Sequence, residues 1–214
     1  GNNVLIIDRR SHVGGNVHDN IHAESGVRIH TYGPHYFRTS SEKIWSYVGR
    51  FSNFYKYEPE LLTNIDGNFE NWPVHAKYVE RVEGKNWRPK FVGKVNNFEE
   101  ASLAMMPESV YRNFVKGYTQ KQWGVLPAQL EKSLAGRFDI REDNDPRLKK
   151  IKFQGIPEQG YSQFMVNMLK GIEVLKNVDH KDIRNEICVK KCTIYTGPLD
   201  EYYDYDLGKL RYRG

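Results

Sequence analysis

The apolar run Val4-Leu5-Ile6-Ile7 closes on Asp8. Short, continuous and bounded, it predicts a buried parallel strand. His12-Val13-Gly14-Gly15-Asn16 follows as a glycine turn, and residues 27–32 alternate through Val27, Ile29 and Tyr32 to predict another strand. Ser40 or Ser41 can cap a helix through Val48, with Ile44, Trp45 and Val48 at helical spacing. Residues 51–74 are rich in aromatics and are broken by Asn64-Ile65-Asp66-Gly67-Asn68. Asp-Gly between β-prone runs predicts a hairpin and an antiparallel sheet.

From about residue 76 to 137 the period turns helical. Pro107 and Glu108 suit a helix start, and Val110, Phe114 and Tyr118 recur at every fourth position beside Tyr111 and Val115. Leu126, Leu130 and Leu134 repeat the spacing up to a stop at Gly136. The charged stretch Glu142-Asp143-Asn144-Asp145-Pro146-Arg147 reads as an exposed loop. Tyr161, Phe164, Met165, Met168 and Leu169 form one helix face ending at Gly171, and Ile172 to Leu175 reads as a strand. Thr193 to Thr196 reads as a strand running into a turn at Gly197-Pro198, and Cys188 as strand filler. With α/β pieces at both ends and no repeat or linker between them, the pattern is that of one domain interrupted by insertions.

Composition narrows the classes. The net charge of +5 is spread among acids such as Glu99, Glu100 and Asp200 to Asp206, a surface suited to an anionic small ligand rather than to nucleic acid. No stretch approaches the roughly 20 apolar residues of a membrane span. Cys188 and Cys192 are too few for a structural zinc site, so no metal is expected, and the low cysteine usage favours a cytoplasmic setting.

Candidate chemistry begins at the N-terminus. An acid at a strand end, here Asp8, can accept both ribose hydroxyls of an adenosine, and the paired Gly14 and Gly15 let backbone N–H groups approach a pyrophosphate. The G-x-G-x-x-G turn that should open such a unit has no place upstream, because only seven residues precede Asp8. The chain is therefore expected to be a fragment lacking that unit.

Five ordered segments carry a family resemblance. They are Val4-Leu5-Ile6-Ile7-Asp8-Arg9-Arg10-Ser11-His12-Val13-Gly14-Gly15-Asn16, Ile29 to Phe37, Lys116-Gly117-Tyr118-Thr119-Gln120-Lys121-Gln122-Trp123-Gly124, Phe153 to Tyr161, and Ile194 to Tyr205. Together they resemble the UDP-galactopyranose mutases, and the third, the family's K-G-Y-T-x-K-Q-W-G, is the most specific. The resemblance implies an α/β fold: a partial Rossmann-like FAD-binding domain with an inserted helical bundle and an antiparallel sheet region. Residues 1–40 with 190–214 would form the partial FAD-binding domain, 41–75 with 138–189 a mixed sheet and substrate region, and 76–137 a helical domain. A C-terminal portion of the family is also expected to be missing.

The implied reaction interconverts pyranose and furanose forms of a UDP-sugar through an adduct at N5 of reduced FAD, in cell-surface polysaccharide biosynthesis. By resemblance, Asp8, Arg9, Gly14, Gly15, Asn16, Gly33, His35, Thr196 and Gly197 bind the cofactor. Tyr118, Trp123, Arg141 and Phe153 bind substrate, and Arg141 and His35 are the catalytic candidates. Spacing alone reads Tyr118 as a core residue, Arg141 as a solvated loop charge and His35 as a turn residue. The chain departs from the family pattern at Arg38, His75, Arg147-Leu148 and Phe153, which leaves the sugar open. As a fragment it is expected to hold FAD weakly or not at all and to be inactive alone; homo-oligomerisation is left open. The alternatives are an FAD-dependent oxidase or desaturase of the amine-oxidase-like class, and a structured but inactive domain.

Overall fold

A computed structural model describes residues 3–138 and 140–211. The chain divides into two compact units, one made of residues 3–57 and 151–210 and the other around residues 58–150.

In the first unit, strand Leu5–Asp8 pairs in parallel with Glu173–Lys176, Leu5 opposite Glu173 and Asp8 opposite Lys176. A short hairpin joins Asp19–Ile21 to Arg28–His30. Phe153–Pro157 is the central strand of an antiparallel sheet, flanked by Phe37–Thr39 and Phe54–Lys56. The sheet's aromatic residues interleave with two helices, Glu42–Val48 and Gly160–Met168. Trp45 stacks on Phe153 at 5.2 Å and tilts against Phe54 at 5.1 Å, while Phe54 meets Phe164 edge-on at 5.6 Å. Val48, Tyr161 and Phe164 are the buried centre of this core. The Ser41 hydroxyl accepts from the Ile44 N–H at 3.3 Å and so fixes where the first helix begins.

The helix Gly160–Met168 has its cap supplied from 142 residues upstream. The fully buried Asp19 carboxylate accepts from the Tyr161 N–H at 2.6 Å and the Ser162 N–H at 3.0 Å, with the Arg28 guanidinium 3.4 Å away. Gly160, at φ +84°, is the residue that lets the carboxylate come this close. A Cβ there would lie 2.5 Å from Asp19 Oδ2 and would also overlap Arg28.

The second unit starts with the expected hairpin, Leu61–Ile65 against Asn68–Trp72, closed by Asp66 and Gly67 at φ 50° and 88°. Positive φ at both central residues is the turn an Asp-Gly pair favours. Helices Ala76–Glu83 and Phe98–Met105 follow, then a continuous helical run from Glu108 to Trp123. Val79, Phe98, Met106, Val110, Val115 and Ala135 are at most 2% exposed and form its core. Val74 and His75 pair in parallel with Ile140 and Arg141.

Three expectations fail for local reasons. Leu126, Leu130 and Leu134 do not lie on one α-helix but in and beside the 3-10 turns Pro127–Gln129 and Lys132–Arg137. Pro127 interrupts the ladder, and the Gln129 side chain accepts from the Leu126 N–H at 3.2 Å instead. Thr193 to Thr196 joins no ladder among the described residues, and Ile194 is 85% exposed. Cys188 is no strand filler: it and Cys192 are exposed free thiols in irregular chain.

Asp19→Ala should therefore destabilise the chain by about 3 kcal/mol, because two buried N–H groups and a guanidinium lose their acceptor together. The near-isosteric Asp19→Asn should lose less. Urea unfolding followed by circular dichroism checks both, and a parent-like midpoint for Asp19→Ala would refute the assignment.

Candidate functional site

In the first unit the chain turns back on itself after strand Leu5–Asp8. Asp8 Oδ1 accepts from the Arg10 N–H at 2.9 Å, a local turn that swings the Arg10 side chain toward the glycines. Gly14 and Gly15 have φ 92° and 54°, and the turn is closed by Val17 N–H to Gly14 C=O at 3.1 Å. The Arg10 guanidinium donates to Asn16 Oδ1 at 2.8 Å and lies over the Tyr32 ring at 4.5 Å. Its Nη1 is buried and has no partner among the described residues.

Beside it, His12 stacks on His18 at 3.7 Å and meets the Tyr32 hydroxyl through Nε2 at 2.7 Å. His18 Nδ1 lies 2.8 Å from the Ser162 hydroxyl. Burial and then the neighbouring His12 push the His18 imidazole below its ordinary value, since protonating both stacked rings would bring like charges together.

The structure thus gathers Asp8, Gly14, Gly15 and Asn16 around Arg10. Arg9 points elsewhere, to Glu201 at 3.5 Å. His35 lies on a neighbouring turn: its Nδ1 is 2.8 Å from the Gly33 carbonyl, with Gly33 at φ 99°, and its N–H donates to His30 Nδ1 at 2.9 Å. Thr196 and Gly197 are exposed in irregular chain, where the Tyr195 ring folds back so closely that a Cβ on Gly197 would lie 2.5 Å from its hydroxyl. Phe153 sits in the sheet, half-buried against Trp45.

The second unit holds the other candidates. Tyr118 and Trp123 share the helix segment Gly117–Trp123, closed by Gly124 at φ 65°. Five residues separate them, about 140° around the axis, so they line no single face. Tyr118 is 49% exposed and Trp123 half-buried. Arg141 ends the two-residue parallel pair, and its guanidinium donates to the carbonyls of Asp145 (3.1 Å), Leu148 (3.0 Å) and Arg147. That loop is itself pinned: Arg147 bridges Asp145 at 2.6 Å and Glu58 at 2.8 Å. Hydrogen bonds from the Arg147 side chain and backbone hold the Asp145 carboxyl down at about 2.

Sequence reasoning assigned no role to Arg10, His18, Tyr32 or the Asp145–Arg147 pair. Arg10 could have been found, because an aspartate two residues upstream favours a turn that redirects it. The His12–His18 stack had no such signal, since nothing local sets two rings six residues apart face to face.

The parallel pair, the acid at the strand end and the glycine turn are those of a Rossmann-like α/β unit, and residues 1–51 match the family described as an NAD(P)-binding Rossmann-like domain. Within that class the chain is related by sequence to the UDP-galactopyranose mutase family, whose profile matches residues 113–214. It is 31% identical to the dTDP-fucopyranose mutase of Escherichia coli over 98% of this chain and 60% of that protein. It is 30% identical to a probable UDP-galactopyranose mutase of Klebsiella pneumoniae, over 100% of this chain and 59% of that protein. A crystal structure of reduced UDP-galactopyranose mutase shares the fold with a TM-score of 0.59 at 14% identity, covering 80% of this chain and 42% of that one. The chain thus spans 59–60% of the length of the first two relatives. Among the described residues no helix is long and apolar enough to cross a membrane, and no cluster of three or more His, Cys, Asp or Glu could hold a metal ion.

The depressed Asp145 carboxyl gives a pH test. Its contribution to holding the loop is fully present above its ordinary value of 3.8 and is lost as pH falls through about 2. In Arg147→Ala the carboxyl resonance of Asp145 should titrate clearly higher than in the parent, moving toward 3.8, while the backbone N–H at position 147 and Arg141 keep part of the depression. An NMR titration of both proteins checks this, and an unchanged Asp145 curve in the variant would refute the pairing.

Proposed function

We propose that this chain is part of a flavin-dependent nucleotide-sugar mutase that interconverts pyranose and furanose rings of a UDP-sugar or a close analogue. The observation that carries the reading is the K-G-Y-T-x-K-Q-W-G segment, with Tyr118 exposed on its helix, in a chain about a third identical to mutases. The dTDP-fucopyranose mutase relative favours keeping a thymidine diphosphate sugar as a second substrate reading.

The residues around Arg10 fit FAD. A buried guanidinium nitrogen without a partner among the described residues lies beside a glycine turn at positive φ, which suits a diphosphate. Asp8 would hold an adenosine ribose; Arg9, Asn16, Gly33, His35, Thr196 and Gly197 would complete the cofactor contacts. Reduced FAD supplies, when bound, the N5 nucleophile toward the anomeric carbon. Tyr118 or Trp123, on different sides of their helix, would offer a ring face to a uracil, Arg141 a planar fork for the diphosphate, and Phe153 an apolar wall for the sugar. Such an enzyme would work in the cytoplasm on precursors of cell-surface polysaccharide. The division into a partial FAD-binding domain, a mixed substrate region and a helical domain belongs to the same reading.

Flavin absorbance of the purified protein, followed by turnover of a panel of UDP- and dTDP-sugars, tests the activity; ring interconversion of none of them would overturn it. Two variants test the site. Trp123→Ala should weaken UDP binding about fivefold, near 1 kcal/mol, with almost no salt dependence, because stacking is not ionic. Arg141→Ala should lose affinity that shrinks at high ionic strength. Calorimetric titration of UDP at low and high salt separates the two, and parent-like binding by Trp123→Ala would remove that residue from the site.

A further inference from the structure

The Gly14-Gly15 turn lies between two histidines whose rings are stacked. His12 and His18 have their ring centroids 3.7 Å apart, with 17° between the planes. Hydrogen bonds assign the proton on each ring. The Ser162 hydroxyl gives its one proton to the Asp19 carbonyl at 2.6 Å. Its oxygen accepts from the Asp19 N–H at 3.1 Å, and His18 Nδ1, 2.8 Å away, is therefore a donor as well. His12 Nδ1 faces the Val13 carbonyl at 3.1 Å and must also carry a proton, because a carbonyl only accepts. On a neutral His12 ring Nε2 is then an acceptor, and the Tyr32 hydroxyl donates to it at 2.7 Å. With both rings neutral, each of these contacts is satisfied.

An added proton goes to Nε2 of either ring. On His12 it sets a donor against the Tyr32 O–H, which must turn away. On His18 it brings charge against the stacked neighbour, and like charges this close repel. Around the pair stand Arg10, whose guanidinium covers the Tyr32 ring at 4.5 Å, and Asp8, which is turned to the Arg10 N–H. From the hairpin come Asp19 and, 3.4 Å from it, Arg28, while His30 turns its ring to Tyr161 at 5.7 Å instead. The Asp19 carboxylate is already engaged by the Tyr161 and Ser162 N–H groups. The helix Gly160–Met168 brings the Ser162 hydroxyl and the Tyr161 phenol, which burial keeps neutral. His18 is accordingly held below its ordinary value by burial first and His12 second, against the opposing pull of Asp19.

The same contacts join the turn to the helix Gly160–Met168. His18 reaches it through Ser162, and Met165 lies 3.2 Å from the position of a Cβ on Gly14. We propose that the His12–His18 stack is a pH-sensitive clamp: with both rings neutral it holds the Gly14-Gly15 turn on this helix, and protonation of the pair parts the rings and frees the turn. Acid acts on it in one direction. A depressed histidine stabilises the fold fully above its ordinary value of 6.5, and that contribution is lost as pH falls through the lowered value. The inference needs no bound ligand and stands apart from the functional reading above.

Histidine ring resonances, the Gly14 and Gly15 amide resonances and urea midpoints are followed on the parent from about pH 8 to about pH 5. Both glycine amides should shift with the midpoint of the His18 ring, and that midpoint should lie below 6.5. The urea midpoint should fall over the same range. His18→Phe keeps a flat ring in the stack and cannot take the proton. In that variant the glycine amides should stay still, and the acid loss of stability should shrink to about half or less. His12→Phe removes the neighbouring charge, so His18 should titrate higher than in the parent. Glycine amides that ignore the His18 titration in the parent would show that the stack clamps nothing, whether or not the variants fold. A His18→Phe protein with the parent's full acid loss would place the switch on another group and overturn the assignment. An unmoved His18 curve in His12→Phe would show that the two rings do not feel each other's charge, which also overturns it.

Discussion

The first unit depends on a single buried carboxylate. The chain leaves this unit after residue 57 and returns at residue 151, so nothing local tells the returning strand and helix where to dock. Asp19 supplies that instruction, by taking the N–H groups of the second and third residues of the helix Gly160–Met168. Helix N-termini leave such donors unpaired, and burying them without an acceptor is unfavourable. The Ser162 hydroxyl adds a return contact to the Asp19 carbonyl at 2.6 Å, and Arg28 closes the charge. Once this joint is made, Phe164 is delivered against Phe51 and Phe54, and Met165 comes against the Gly14 turn. The Gly14-Gly15 turn is thus backed by a helix from the far side of a long insertion.

This explains which parts of the fold were legible in the sequence. Elements whose cause is local could be read: the Asp66-Gly67 hairpin, the Ser41 cap and the apolar strand ending at Asp8. Elements decided by distant partners could not. Nothing in Asp19-Asn20-Ile21 says that its carboxylate will cap a helix 142 residues on. The leucines at 126, 130 and 134 satisfy a helical period, yet Leu130 and Leu134 reach the core from 3-10 turns, where the Leu130 carbonyl accepts from the Phe98 N–H at 3.0 Å. Period placed Leu130 and Leu134 inward but not Leu126, which is 54% exposed, and it did not fix the backbone that carries them.

The candidate site was legible in the same uneven way. The motifs located the glycine turn and the helix with Tyr118 and Trp123. Spacing put Tyr118 in the core, and the structure leaves it 49% exposed. Conversely, Arg10 sat inside a recognised motif without a role until the Asp8 turn folded it back.

The two arginines nearest the expected anions are in opposite states, and this bears on how a nucleotide-sugar mutase built on this chain would work. Arg10 keeps a buried N–H without a partner among the described residues, so under the proposed function a diphosphate that reached it would gain a contact. Arg141 is already satisfied by three carbonyls of its own loop, and that loop is held by the Arg147 bridges to Asp145 and Glu58. For Arg141 to grip a phosphate it must give those carbonyls up. These bonds have a charged donor, so each contributes about 1.5–3 kcal/mol, comparable per bond with a bidentate charge-assisted pair with phosphate. The exchange is then close to balanced. Under the proposed function, Arg10 would act as a fixed element of cofactor binding. Arg141 would be a conditional one, engaged only when substrate offers enough charge to loosen the 145–148 loop.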